Sequence, residues 1–242
     1  MNARRTLLSI KFPFGALSIF FLYLLTGVAE GDVINSYKIG TDYREMLIFL
    51  SACPAASLFA QDWKSGFWRP VAVRIPMRRY AAGLLFWAWL TTVFTCLTGQ
   101  WLYIFYLSCR LPLLDEITYT QPWISDFLGR VFLYDHPYLY LAAQTLCASL
   151  VCGTFASAAL LTSTLIPDRL IAHFAPLILY YFFCFGMEFL KIPYQFRPDY
   201  QLIGYLTDNP PVDILIMTAH IGLLLAMLPL FVWAVERRCG NA

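Results

Sequence analysis

The chain has 242 residues, of which 60% are hydrophobic, 17% aromatic and 13% charged, with a formal net charge of +2. Soluble domains carry about a quarter charged residues, and here the polar residues fall in short patches between long apolar runs. Composition therefore excludes an ordinary water-soluble domain, and so small a net charge gives no sign of nucleic-acid binding. Nothing reads as a disordered tail or low-complexity linker, so residues 1–242 are expected to form one all-α transmembrane domain.

In chain order, Arg4 and Arg5 precede the first apolar run, residues 12–29. Its basic flank and the small residues Gly27, Val28 and Ala29 also suit a cleaved signal peptide. The run is longer than a usual signal core, which favours a retained first helix. A helix needs roughly 20 residues to cross a hydrocarbon core of about 30 Å. By that measure residues 46–60, 80–109, 138–166, 171–190 and 212–235 complete a set of six transmembrane helices. The second is the shortest and is expected to borrow a turn from residues 42–45 or 61–63. Asp135, His136 and Pro137 supply a cap and a first-turn proline for the fourth helix, and Asn209, Pro210 and Pro211 do so for the sixth. Pro54, Pro176 and Pro229 fall inside spans, where each removes one backbone hydrogen bond and is expected to kink its helix.

Six spans place both termini on one side. That side holds Arg4, Arg5, Lys11, Lys64, Arg69, Arg74, Arg78, Arg79, Arg169, Arg237 and Arg238, but only Asp62, Asp168 and Glu236 among the acids. The opposite side holds Lys38, Arg44, Arg110, Arg130, Lys191 and Arg197, and the remaining acids lie there or at its boundary. Lysine and arginine mark the cytoplasmic side of membrane proteins. The expected orientation is therefore a multi-pass protein with both termini in the cytoplasm.

The most informative loop joins the second and third helices. On a helix, Phe67, Val71 and Ile75 line one face with Trp68 adjoining, while Arg69 and Arg74 point elsewhere. This is a short amphipathic element for the membrane surface or a partner; an ordinary interfacial turn with arginines at anionic headgroups is the plainer reading. Two further segments on the other side are amphipathic. In 123–133, Trp123, Ile124, Phe127, Leu128, Val131 and Phe132 recur opposite Ser125, Asp126 and Arg130, as in a helix lying in the interface. Residues 191–211 mix Tyr194, Phe196, Tyr200, Leu202, Ile203 and Tyr205 with Pro193 and Pro198, and suit either a lid or aromatic anchoring at the headgroups.

Asp62 at the end of the second helix, Gly66 four positions on, and Pro76 and Arg79 before the third helix resemble the pattern of type-2 ABC exporter permeases. Six helices, cytoplasmic termini and short exterior helices before the last span extend the resemblance over nearly the whole chain. It implies that residues 65–75 form a coupling helix seated in a groove of a separate ATPase subunit. Asp62, Gly66, Phe67, Trp68, Arg69, Arg74, Pro76 and Arg79 would be the coupling residues. Pro70 interrupts the expected helix, and residues 81–89 lack the lysine that family often places early in its third helix. The resemblance further implies a second permease half, the same or a similar chain, in a bacterial cytoplasmic membrane. ATP and Mg would sit on the partner ATPase, with no cofactor in this chain and an amphiphilic or peptide-like substrate for export.

The chemistry-bearing residues agree with a non-enzymatic chain. No phosphate-binding G-x-x-x-x-G-K-[ST] loop occurs, nor H-E-x-x-H, nor G-x-S-x-G. Cys53, Cys96, Cys147, Cys152 and Cys184 lie inside apolar segments without metal-ligand spacing and read as small packing residues, as do Cys109 and Cys239 near the loops. Gln100, Gln144, Glu188 and His220 are the candidates for a transport path, and each suits a single interhelical hydrogen bond equally well. Ala148, Cys152 and Ala156, with Gly153 and Ser157 alongside, mark the fourth helix as a close-packing one. Two other functions fit the same features: a non-transporting scaffold or sensor subunit, and an intramembrane enzyme built on His173, His220 or Glu188.

Overall fold

The computed structural model describes residues 9–27, 31–40, 43–113, 136–203 and 210–240. Among these residues ten α-helices follow one another: α1 (Lys11–Thr26), α2 (Val33–Gly40), α3 (Arg44–Ala52), α4 (Leu58–Lys64), α5 (Trp68–Arg74), α6 (Met77–Ser108), α7 (Pro137–Leu165), α8 (Arg169–Phe189), α9 (Pro198–Ile203) and α10 (Pro210–Gly240). A 3-10 turn, Tyr194–Phe196, precedes α9. There is no strand among the described residues.

Among the described residues four helices are long and apolar enough to cross a membrane: α6 with 32 residues, α7 with 29, α8 with 21, and Ile214–Gly240 of α10 with 27. At 1.5 Å per residue the shortest covers about 31 Å, enough for a hydrocarbon core of about 30 Å. Their limits fall close to those expected for the third to sixth spans. Helices α8 and α10 run through Pro176 and Pro229 without a break.

The first and second expected spans take other forms. Helix α1 has 16 residues, about 24 Å of rise. The run 46–60 is not one helix, because α3 ends at Ala52 and α4 begins at Leu58, with a turn between them. Pro54 has no amide to continue the ladder, and the turn is closed by the Ala55 and Ala56 amides on the Ala52 carbonyl at 3.0 and 2.8 Å. The extra turn expected at either end is present, since α3 starts at Arg44 and α4 reaches Lys64. Ala52, Ala55, Ala56, Ser57 and Phe59 are fully buried, so the broken segment runs through the interior, where protein shields its irregular backbone.

Helix α7 is the central post. In its most apolar stretch 78% of residues are buried, against 28% in α8 and 22% in α10. The small-residue stripe explains this position: Ala148, Cys152 and Ala156 are buried, and Gly153 lies so close to α6 that a Cβ there would come within 2.8 Å of Trp89 and Val93. On the periphery, α8 and α10 expose Phe182, Phe185, Phe189, Leu225 and Trp233, a surface suited to hydrocarbon rather than water.

Two short elements fold back onto the bundle at the end opposite α5. Helix α2, absent from the sequence expectations, buries Val33, Ile34 and Tyr37, and the Val33 amide donates to the Pro112 carbonyl at 3.1 Å. Helix α9 buries Gln201 and Leu202. The amphipathic run 123–133 lies outside the described residues.

Candidate functional site

Helix α5 sits at the end of the bundle that gathers Lys11, Lys64, Arg69, Arg74, Arg78, Arg79, Arg237 and Arg238. Its approach is set by Gly66, whose φ of +69° is a left-handed conformation; no atom lies within 4 Å of where a Cβ would stand, so backbone geometry rather than space calls for glycine. Pro70 falls in the first turn of α5, where its missing amide has no intrahelical partner to lose, so it starts the helix rather than interrupting it. Val71 is buried, Phe67, Trp68 and Ile75 are half-buried, and Arg69 and Arg74 are exposed, as the periodicity predicts. Val73 is 89% exposed and stands between the two arginines on the outer face. Pro76 and Arg79, both exposed, occupy the cap and first turn of α6.

The inner face of this junction is joined to four long helices. Asp62, 1% exposed, accepts a 2.6 Å hydrogen bond from the Tyr80 hydroxyl, linking the end of α4 to the start of α6. Trp63 stacks on Trp68 with ring centroids 5.3 Å apart and planes 8° from parallel, and on Phe59 at 6.1 Å. The Arg238 guanidinium lies 4.8 Å from the Trp63 ring and donates to the Thr164 and Leu165 carbonyls at the C-terminus of α7. Those carbonyls are the negative end of the helix dipole, a favourable place for a cation.

Lys64 pairs with Asp168 at 2.7 Å, and Asp168 caps α8 through the Leu170 and Ile171 amides at 2.8 and 3.3 Å. Lys64 and those amides hold the Asp168 carboxyl below the usual carboxylate range. Arg78 pairs with Glu236 at 2.9 Å, joining α6 to α10. Both ion pairs are exposed and add little stability individually. Their consequence is geometric, because together with the Arg238 contacts they tie α4 and the start of α6 to α7, α8 and α10. None of these partners was visible in the sequence except the Asp168 cap, which an Asp before an apolar run announces.

The four residues considered for a transport path each have their own contacts, and no hydrogen bond joins any two of them. Gln100 is buried, accepts from Tyr37 at 2.5 Å and donates to Cys96 Sγ at 2.9 Å. Gln144 is buried and donates to the Tyr140 hydroxyl at 2.6 Å, and its Oε1 has no hydrogen-bond partner. Glu188 is exposed and 3.5 Å from Arg197. His220 is buried between Thr154 Oγ1, 3.1 Å from Nδ1, and Gln201 Oε1, 3.0 Å from Nε2. His173, named with Glu188 and His220 as a catalytic option, lines a separate small cleft with Lys11 and Cys53. No hydrogen bond joins any two of the three groups of that option. Among the described residues no group of three or more His, Cys, Asp or Glu is placed to hold a metal.

Searched against family models, curated proteins and solved structures, the chain matches none.

Proposed function

We propose that this chain is the membrane-spanning permease subunit of an ATP-driven exporter of the type-2 ABC kind. The observation that supports the reading best is the construction of α5. Its outer face offers Arg69, Val73 and Arg74 to a partner, while its inner side is tied through Trp63, Trp68 and Val71 to the long helices. A partner seated on α5 has a short mechanical path into the bundle. In this reading the basic end faces the cytoplasm of a bacterial cell, α1 and the broken α3–α4 segment complete six crossings, and both termini are cytoplasmic.

The reaction is carried by the partner. A separate ATPase subunit binds ATP and Mg, and its closure on nucleotide displaces α5. A second permease half, the same or a similar chain, completes the path for an amphiphilic or peptide-like substrate. ATP acts by population shift, which requires the ATPase dimer to bind one arrangement of the helices more tightly than the other. Asp62 and Tyr80 hold the base of the coupling element, Gly66 sets its angle, and Pro76 and Arg79 begin the helix that receives the displacement.

Charge reversal tests this role. Arg69→Glu and Arg74→Glu should leave membrane insertion and folding intact while ATP hydrolysis by the complex no longer drives transport. Unaltered transport in both variants removes α5 from the coupling role. A complex that is stable yet contains no ATPase supports the other reading, a non-transporting scaffold or sensor using the same basic face.

A further inference from the structure

A cavity of about 420 Å³ lies between α7, α8 and α10, beneath the 3-10 turn and α9. Its walls are apolar. Three polar side chains reach it, Thr154, Gln201 and His220, and each is occupied by another group of the protein. Thr154 also donates to the Leu150 carbonyl at 2.9 Å, so a neutral imidazole with a single N–H is satisfied once the Gln201 amide or the Thr154 hydroxyl turns to donate to its other nitrogen. The polar groups therefore consume one another, and the space beside them offers a ligand only hydrocarbon contact.

The cavity is open on the side that faces the bilayer. Phe183, Phe196, Leu215 and Leu223 line it and are themselves exposed on the outer surface of the bundle. A ligand entering between them comes from the membrane interior, not from water. Water finds few hydrogen-bond partners on such walls, and a buried water needs two to four of them. Met187 and Met227, flexible side chains able to follow an irregular occupant, line the same space. With about 30 Å³ for a water-sized group, the volume accommodates roughly a dozen methylenes.

We propose that this cavity is a binding site for a single hydrocarbon chain of a membrane amphiphile. The site is independent of α5 and of any ATPase. The chain inserts laterally between α8 and α10, and the Gln201–His220–Thr154 linkage holds α9 against α10 and α7 as its roof. Two sources share this chemistry: one acyl tail of a bilayer phospholipid, and a single-chain amphiphile such as a fatty acid.

The test uses the full-length protein in phosphatidylcholine vesicles with a photoactivatable 16-carbon fatty acid in one arm and a phosphatidylcholine bearing the same photoactivatable chain in the other. Saturable labelling mapped to α10 around Ala219–Leu223 or to Met187, and competed by unlabelled palmitate or phospholipid, is expected in at least one arm. The arm that labels identifies the source. Ala219→Trp, which fills the cavity, should reduce that labelling about tenfold while labelling of the exposed Phe182 and Leu225 faces stays unchanged. Saturation and competition in the wild-type protein test the site even if the variant fails to fold. Labelling that does not saturate in either arm and is confined to the outward faces overturns the proposal; so does labelling of the cavity that Ala219→Trp leaves intact in a folded protein.

Discussion

The Tyr80 hydroxyl donates to Asp62 Oδ2 at 2.6 Å, so the first turn of α6 is tied to a carboxyl group that is 1% exposed at the foot of α4. The 17 residues between them contain all of α5, and this bond closes the loop that carries it. Removing the hydroxyl leaves a buried acceptor with one partner fewer, at a cost of about 1–3 kcal/mol. Tyr80→Phe should therefore lower the unfolding midpoint in detergent by a corresponding amount. A variant as stable as the wild type would mean that water or a neighbouring group takes over the bond.

Gly66 tests whether the angle of α5 matters. Its φ of +69° strains any side chain, but nothing lies within 4 Å of an added Cβ. Gly66→Ala should cost about 1–2 kcal/mol from the left-handed backbone alone, and Gly66→Asn less, since asparagine tolerates that region. Unfolding in detergent ranks the three proteins; equal loss for alanine and asparagine would point to a clash instead.

Asp168 gives a pH signature. Its carboxyl is held below the ordinary range by Lys64 and by the Ile171 and Leu170 amides, so the folded protein binds that proton less readily than the unfolded chain. The stability it contributes is present above the unfolded value, about 3.9, and is lost as pH falls through the depressed folded value. The difference in stability between the wild type and Asp168→Ala should thus be level from neutral pH to about pH 5 and disappear in stronger acid. A difference that instead disappears near pH 6–7 would implicate another group.

Glycines in two helices should answer the same substitution oppositely. A Cβ at Gly99 would stand 2.6 Å from Ile19 Cβ and 2.8 Å from the Ala16 carbonyl, so α1 must move away. Gly99→Ala should cost about 1–3 kcal/mol as overpacking. Gly222 in α10 has nothing within 4 Å, and Gly222→Ala should be neutral or gain up to about 1 kcal/mol of helix propensity. Thermal unfolding in detergent reads both; a destabilising Gly222→Ala would reveal a partner surface on α10.

What could be read from the sequence follows the range of the interactions. Long apolar runs announce α6, α7, α8 and α10 because crossing a bilayer imposes a length and an apolar surface that these four runs carry in full. The inward face of α5 was legible through the spacing of Phe67, Val71 and Ile75. Residues 46–60 were not legible as two helices: their hydropathy is continuous, and the break depends on neighbours closing around Pro54. Helix α2 escaped because Val33–Gly40 mixes Asn35, Ser36 and Lys38 with apolar residues too briefly to show a period. The Trp63 stack, the Arg238 contact and the Gln201–His220 pair join segments far apart in sequence, and no local pattern announces them. The orientation of the basic end and the role of α5 rest on the proposal above.

If α5 is the seat of an ATPase, the tagged chain purified from its native membrane in mild detergent carries that subunit with it, and mass spectrometry of everything bound identifies it. That role for α5 requires a stoichiometric soluble ATPase, released by Arg69→Glu together with Arg74→Glu, and a second membrane half in the same complex. An intact complex that contains no ATPase would contradict it.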